Sequence, residues 1–315
     1  MSHKPSFPNH QVHLQLSDVR LSDHHGLQRL PNLGQFTFTI IKVFEPVTQA
    51  VVVLARCDAV SASPVVIKIY DPRYLTNRFK NHYTNSHPRP WTLDAEAAVG
   101  LNPVPLSELE RGVPLELREP EPTSADGQRH RAARWELHFQ TQSRQSFEAE
   151  YKAYTRLADL QGSVVPRVLG VGRQVFPSEP RFYQPRALVF EFIEGITIES
   201  APSTVVTPQL IAQLYQDIRL FAPRGVVHGD LRWSNVILSP AQSPKRAVVI
   251  DFGQARVRED ETDKDWEEVV SECDEPGAVA SMLMEKDITW HPSFMIPPYG
   301  TSVPIPGLSH SRSTA

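Results

Sequence analysis

A chain of 315 residues is long enough to bury a sizeable core, as one domain or one two-lobed domain. Its formal net charge of −4, without a long basic run, argues against nucleic acid or an anionic membrane as the main partner. Apolar runs such as residues 50–55 are far too short to span a bilayer, and Met1-Ser2-His3-Lys4-Pro5 does not open an apolar secretory signal.

Cys57 and Cys273 stand far apart, and without a signal they read as reduced core residues of a cytoplasmic protein, or one that also enters the nucleus. The 12 histidines are scattered without H-x-x-x-H spacing, so no structural zinc is expected.

Residues 1–34 are polar, show no clear period and read as a partly ordered arm. From Phe36 to Phe44 the text turns aromatic and β-branched, as strands are. Glu45-Pro46 turns the chain, residues 50–56 read as a second strand, Ser61 to Pro64 as a turn, and Val65 to Tyr70 as a third strand. Three short strands separated by turns predict an antiparallel meander. Lys68 lies inside the third, between Ile67 and Ile69.

Residues 84–128 are rich in proline and read as a long insertion, partly disordered. Helix formers dominate residues 129–160, where Phe147, Tyr151, Tyr154 and Ala158 share one face. At about 100° per residue, Glu150 falls within the arc between Leu157 and Tyr151, whereas Glu148 falls outside it. An acid inside an apolar stripe is costly without a partner, so Glu150 is expected to pair with Lys68. Residues 164–172 lead into a fourth strand and residues 186–192 form a fifth. Thr207-Pro208 starts a helix that buries Leu210, Ile211, Leu214 and Ile218. Pro223 and Gly225 stop it, and Val226-Val227 enters the loop that carries the chemistry.

That loop is His228-Gly229-Asp230-Leu231-Arg232-Trp233-Ser234-Asn235, followed by Val248-Val249-Ile250-Asp251-Phe252-Gly253. A carboxylate is followed five residues later by an amide, and a second carboxylate ends an apolar strand. A surface turn with two solvated acids is the plain alternative; the ordered set, with a strand before each half, is hard to obtain by accident. Residues 236–238 and 247–250 read as a hairpin holding Asn235 and Asp251 on one cleft. Residues 262–273 look helical, with Trp266, Val269, Val270 and Cys273 on one face, and residues 278–284 add a short helix.

These motifs resemble the protein-kinase-like superfamily, whose signatures are H-R-D-L-x-x-x-N, D-F-G and the strand lysine of V-A-I-K. Here Gly229 replaces the arginine, and His-Gly-Asp is more similar to aminoglycoside kinases, choline kinases and RIO-type enzymes than to typical protein kinases. The chain also resembles a fungal type of kinase-domain protein. The resemblance implies an α+β, two-lobed fold: a five-stranded antiparallel N-terminal sheet plus a helix, and a reduced, mostly helical C-terminal lobe. Its expected divisions are an arm at 1–34, an N-terminal lobe at 35–193, a C-terminal lobe at 194–292 and a disordered tail at 293–315.

The resemblance further implies a phosphotransferase that uses ATP and Mg²⁺ on a hydroxyl acceptor, protein or small molecule. Lys68, held by Glu150, would steady the α and β phosphates; Phe190, Glu191 and Ile193 would form the hinge that binds adenine. Asp230 would be the base, Arg232 a cation for the transferring phosphoryl, and Asn235 and Asp251 the Mg²⁺ ligands. His228 would brace the loop. Two departures stand out: the turn Phe44-Glu45-Pro46-Val47-Thr48-Gln49 lacks glycine where kinases carry G-x-G-x-x-G, and no A-P-E follows D-F-G. A nucleotide-binding pseudokinase with little turnover is therefore the alternative. A third reading is a hydrolase with His228, Asp230 and Asp251 as metal ligands.

Overall fold

The computed structural model describes residues 10–23, 26–29, 34–79, 88–100, 117, 120–178 and 181–279. The expected tail at 293–315, much of the insertion and most of the helix at 278–284 lie outside them.

The N-terminal half is built on an antiparallel sheet of β1 (Gln11–Asp23), β2 (Gly26–Arg29), β3 (Gln35–Phe44), β4 (Val51–Cys57), β5 (Ser61–Tyr70), β6 (Val168–Val175) and β7 (Arg186–Glu191). The strand order is β2-β1-β3-β4-β5-β7-β6, and β1 also pairs with β6. That last pairing closes a ring of six strands, a barrel-like sheet rather than the expected open five. The sixth strand comes from the stretch expected to be an arm. Val12, Leu14 and Leu16 alternate with His13 and Gln15, and all three apolar side chains are buried. This is a period of two diluted by polar neighbours. Gly172 on β6 permits the closure, since a Cβ there would stand 2.3 Å from the Gln15 carbonyl oxygen.

Ser61 to Pro64, expected as a turn, opens β5; the chain reverses instead at residues 58–60, where the Val60 N–H donates to the Cys57 carbonyl. Pro64 is tolerated because β5 meets β7 only from Val65 onward, so the missing N–H faces no partner strand.

The alternation along β5 positions the site. Val65, Ile67 and Ile69 fill the barrel interior with Val12, Leu14, Phe38, Val53 and Val189. Lys68 and Tyr70 point the other way, onto α2 (Ala125–Arg156). This helix starts at the Ser124 cap and lays Phe147, Tyr154 and Leu157 into a core shared with Tyr70, Leu188 and Phe190. Tyr151, placed on that face by the sequence, is 40% exposed and lies flat against Phe147. The first half of α2 is anchored by Arg78, which is 1% exposed and grips Glu136 with two hydrogen bonds of 2.7 and 2.5 Å. Within the insertion, α1 (Leu93–Gly100) is tied down by buried Glu96, which accepts from Arg181, Trp91 and the backbone of Phe182 and Tyr183.

The C-terminal half contains α3 (Pro208–Ile218), α4 (Asp263–Cys273) and a small sheet of β8 (Ile196–Thr197), β10 (Val236–Ser239) and β11 (Arg246–Val249). β9 (Val226–Val227) pairs with β12 (Arg256–Val257). The core that holds Tyr70 and Phe147 runs on through Leu214, Phe221, Val249 and Phe252, so one apolar body joins the two halves. Of the two cysteines expected in the core, Cys57 is half-buried and packs against the barrel interior, whereas Cys273 is exposed; both are free. Cys273 stands at the last turn of α4, past the stripe of Trp266 and Val269 that packs on Val227.

Candidate active site

Three elements distant in sequence meet at Lys68. Its Nζ lies 2.5 Å from Glu150 Oε2 on α2 and 2.6 Å from Asp251 Oδ1 after β11. Lys68 and Glu150 are 8% and 1% exposed. Burial lowers the lysine's affinity for its proton, but the two carboxylates outweigh it and the pKa lies above its ordinary value. Burial also pushes Asp251 up, yet the Lys68 ammonium wins and holds it below the usual carboxylate range. Glu150 is raised by burial, an effect the ammonium only partly offsets. The Tyr70 hydroxyl donates to the same Glu150 oxygen, and burial beside that carboxylate raises its own pKa. Tyr70 was not among the candidates, although a residue two after Lys68 on a strand must share its face.

The loop is pinned from several sides. His228 is fully buried; its Nε2–H donates to the Ile250 carbonyl at 2.9 Å, and its Nδ1 accepts from the Asp230 N–H at 3.2 Å. That pair of bonds sets the tautomer, and burial keeps the ring neutral. With both nitrogens spent on backbone, His228 is withdrawn from any metal-ligand set. Asn235 Nδ2 donates to the Asp230 carbonyl at 2.8 Å and stands 3.3 Å from Asp230 Oδ2; Arg232 lies 3.2 Å from the same oxygen. The Ile250 N–H donates to the Asn235 carbonyl at 2.9 Å, bringing Asn235 beside Asp251. Asp251 has φ 69°, an unusual left-handed conformation held by its lysine and by Phe252, which packs on Tyr154, Phe221 and His228.

Glu275, also unforeseen, closes the loop from below. One of its oxygens accepts from the N–H groups of both His228 and Gly229. Burial lifts its pKa to about 7 despite those donors.

Gly229 has φ 75°, and a Cβ there would stand 2.4 Å from the Gln254 carbonyl oxygen. Arginine cannot occupy this position without moving the segment after Asp251. Gly229→Ala is expected to cost about 2 kcal/mol, from the left-handed backbone and the displaced carbonyl. The urea midpoint measures it; an unchanged midpoint would mean that this backbone is not held as described.

Phe190 is 5% exposed and packs on Tyr154. Glu191 donates its N–H to the Arg167 carbonyl at 3.0 Å and pairs with the Arg167 guanidinium; Ile193 is buried. The glycine-free turn between β3 and β4 reaches over the other end of the site, where Gln49 Oε1 accepts from Gln254 Nε2 at 2.6 Å and from Ser146 at 3.3 Å.

Among the described residues no group of three or more His, Cys, Asp or Glu side chains would hold a metal unaided. A side-chain amide beside a carboxylate suits Mg²⁺ when phosphate oxygens complete the shell. No described helix is long and apolar enough to cross a membrane.

Residues 130–281 match the model of the ABC1 atypical kinase-like domain. A search of curated proteins returns no match. Among solved structures, the Rio2 kinase–ADP/Mg²⁺–phosphoaspartate complex from Chaetomium thermophilum aligns over 89% of this chain and 69% of that chain, with 12% identity and a TM-score of 0.43. The matched domain contains Glu150, Asp230, Asn235 and Asp251 in order, while Lys68 lies before it. Residues 130–281 are thus similar to an atypical kinase-like domain, in agreement with the protein-kinase-like resemblance of the loop motifs.

Proposed function

We propose that this protein is an ATP- and Mg²⁺-dependent phosphotransferase that delivers the γ-phosphoryl group to a hydroxyl acceptor. The observation that carries the reading is the meeting of Lys68, Glu150 and Asp251, with Asp230 and Asn235 held next to them. In this reading Lys68, positioned by Glu150 and Tyr70, turns its ammonium toward the α and β phosphates. The hinge backbone at Glu191 and Ile193 receives adenine, with Phe190 behind it. Asn235 and Asp251 hold Mg²⁺, which neutralises phosphate charge when bound. Asp230 orients the acceptor hydroxyl and takes its proton. Arg232 shares the charge of the transferring group. The acceptor is a protein or a small molecule.

The glycine-free turn, tethered through Gln49 to Gln254, favours a second reading: a pseudokinase that binds nucleotide with little turnover. Nucleotide binding tests what the two share. At one hundred times its Kd, Mg-ATP is expected to stabilise the fold by about 2.7 kcal/mol, read as a rise in melting temperature. Asp251→Asn is expected to abolish the Mg²⁺-dependent part. Equal shifts in both proteins would remove Asp251 from the metal site, and no shift in the wild type would end both readings.

A further inference from the structure

The glycine-free turn between β3 and β4 is pinned at both flanks. On one flank Thr76 donates twice, from its N–H to the Thr48 carbonyl at 2.9 Å and from its hydroxyl to the Val47 carbonyl at 3.3 Å. On the other, Gln49 Oε1 accepts from Gln254 and Ser146, which stand on the two segments that carry Asp251 and Glu150. Thr76 is itself fixed. It opens the 3-10 turn Thr76–Arg78, and Arg78 is the buried partner of Glu136.

These anchors set the direction of the turn's own donors. The peptide bonds from Val47 to Thr48 and from Thr48 to Gln49 are trans. In a trans peptide the N–H points opposite to the carbonyl of the same plane. With both carbonyls turned to Thr76, the N–H groups of Thr48 and Gln49 turn away from it. Neither N–H meets an acceptor among the described residues, and both residues are exposed. Two successive N–H groups of like direction suit an anion.

A glycine-rich loop reaches such an arrangement through backbone freedom, including positive φ. No residue of this turn has a positive φ, so its conformation is open to ordinary side chains. The orientation comes instead from two hydrogen bonds supplied by the chain just after β5. The turn runs on into β4, where Val52 pairs with Lys68.

We propose that Thr76 is a positioning residue for phosphate binding. By holding the carbonyls of Val47 and Thr48, it aims the N–H groups of Thr48 and Gln49 at the terminal phosphates of the nucleotide. This role rests on the nucleotide reading above, and it gives the glycine-free turn a clamp of its own.

Thr76→Pro removes both donors at once. Leu75 before it has φ −57° and ψ 129°, a conformation that suits the residue preceding proline, and proline fits the first position of a helical turn. The test is calorimetric titration of the full chain with Mg-ATP and, separately, with adenosine, which lacks phosphate. The wild type is expected to bind Mg-ATP at least tenfold more tightly than adenosine. The variant is expected to lose at least tenfold in Mg-ATP affinity while adenosine stays within twofold. Tenfold is about 1.4 kcal/mol, within the range of one hydrogen bond to a charged group. Should that variant fail to fold, Thr76→Val, which lacks only the hydroxyl, is expected to weaken Mg-ATP at least threefold, with adenosine again within twofold. Undiminished Mg-ATP affinity in the folded variant, equal weakening of both ligands, or a wild type without preference for Mg-ATP would each overturn the role of Thr76 and leave nucleotide binding standing. A wild type that binds neither ligand would end the nucleotide reading, and this role with it.

Discussion

Replacing Asp230 by alanine is expected to lower phosphoryl transfer by about 10²- to 10⁴-fold, the usual contribution of a positioned proton acceptor, while nucleotide affinity changes less than twofold. The two quantities separate because different atoms serve them. The Asp230 carboxylate contacts Arg232 and Asn235, whereas the Lys68 ammonium proposed to meet the phosphates is held by Glu150 and Asp251. The loop should survive the substitution, since its shape rests on backbone groups. The residue-230 N–H is held by His228, and its carbonyl by Asn235. The measurement is turnover of Mg-ATP with an acceptor that the wild type phosphorylates, beside a nucleotide titration. Equal turnover in the two proteins would show that Asp230 is not the base. A matched loss of affinity would show instead that the carboxylate orders the nucleotide site.

The second large effect is a pH dependence of stability centred on Glu275. Its carboxyl titrates near 4.5 when unfolded and at about 7 in the folded protein. Between those values the folded state binds more protons, so stability falls as pH rises. The contribution is fully present below about pH 4.5 and lost once pH passes about 7. Its size follows from 1.36 kcal/mol per pKa unit, about 3 kcal/mol in all. The cause is a carboxylate buried without an ion-pair partner among the described residues, facing two N–H groups that compensate only part of its desolvation. Glu275→Gln keeps an oxygen acceptor for both N–H groups and removes the charge. The stability difference between wild type and variant, from urea unfolding at pH 5 and pH 8, is therefore expected to move in the variant's favour by about 3 kcal/mol. Parallel profiles for the two proteins would mean that this carboxyl ionises as it does in water.

Glu275 also shows where a reading of the sequence runs out. It follows the helix expected at residues 262–273, and nothing in its neighbours marks it as the acceptor for loop N–H groups 46 and 47 residues earlier. Tyr70 was within reach, because the period of two that turns Lys68 toward α2 turns Tyr70 the same way. So was β1: Val12, Leu14 and Leu16 alternate cleanly, but the surrounding polar text hid a strand that closes the barrel. The buried face of α2 was legible at Glu150 and less so at Tyr151, which rests its ring on Phe147 at the rim. Expecting core cysteines failed at Cys273, where the helical stripe has already turned past its partner surface.

What could be obtained from residue order alone was the chemistry and its local orientation. The His228–Asn235 loop, the acid after an apolar strand, the strand lysine and the inward glutamate are written in short spacings and in periods of 2 and 3.6, which act over a few residues. Packing had to supply the remainder: closure of the sheet by β1, the second donor on Glu150, the Glu275 brace, and the Gln49–Gln254 link across 205 residues of chain. Such contacts are specified by how whole faces fit together, and a polar residue awaiting a distant partner has the same local pattern as one that meets water.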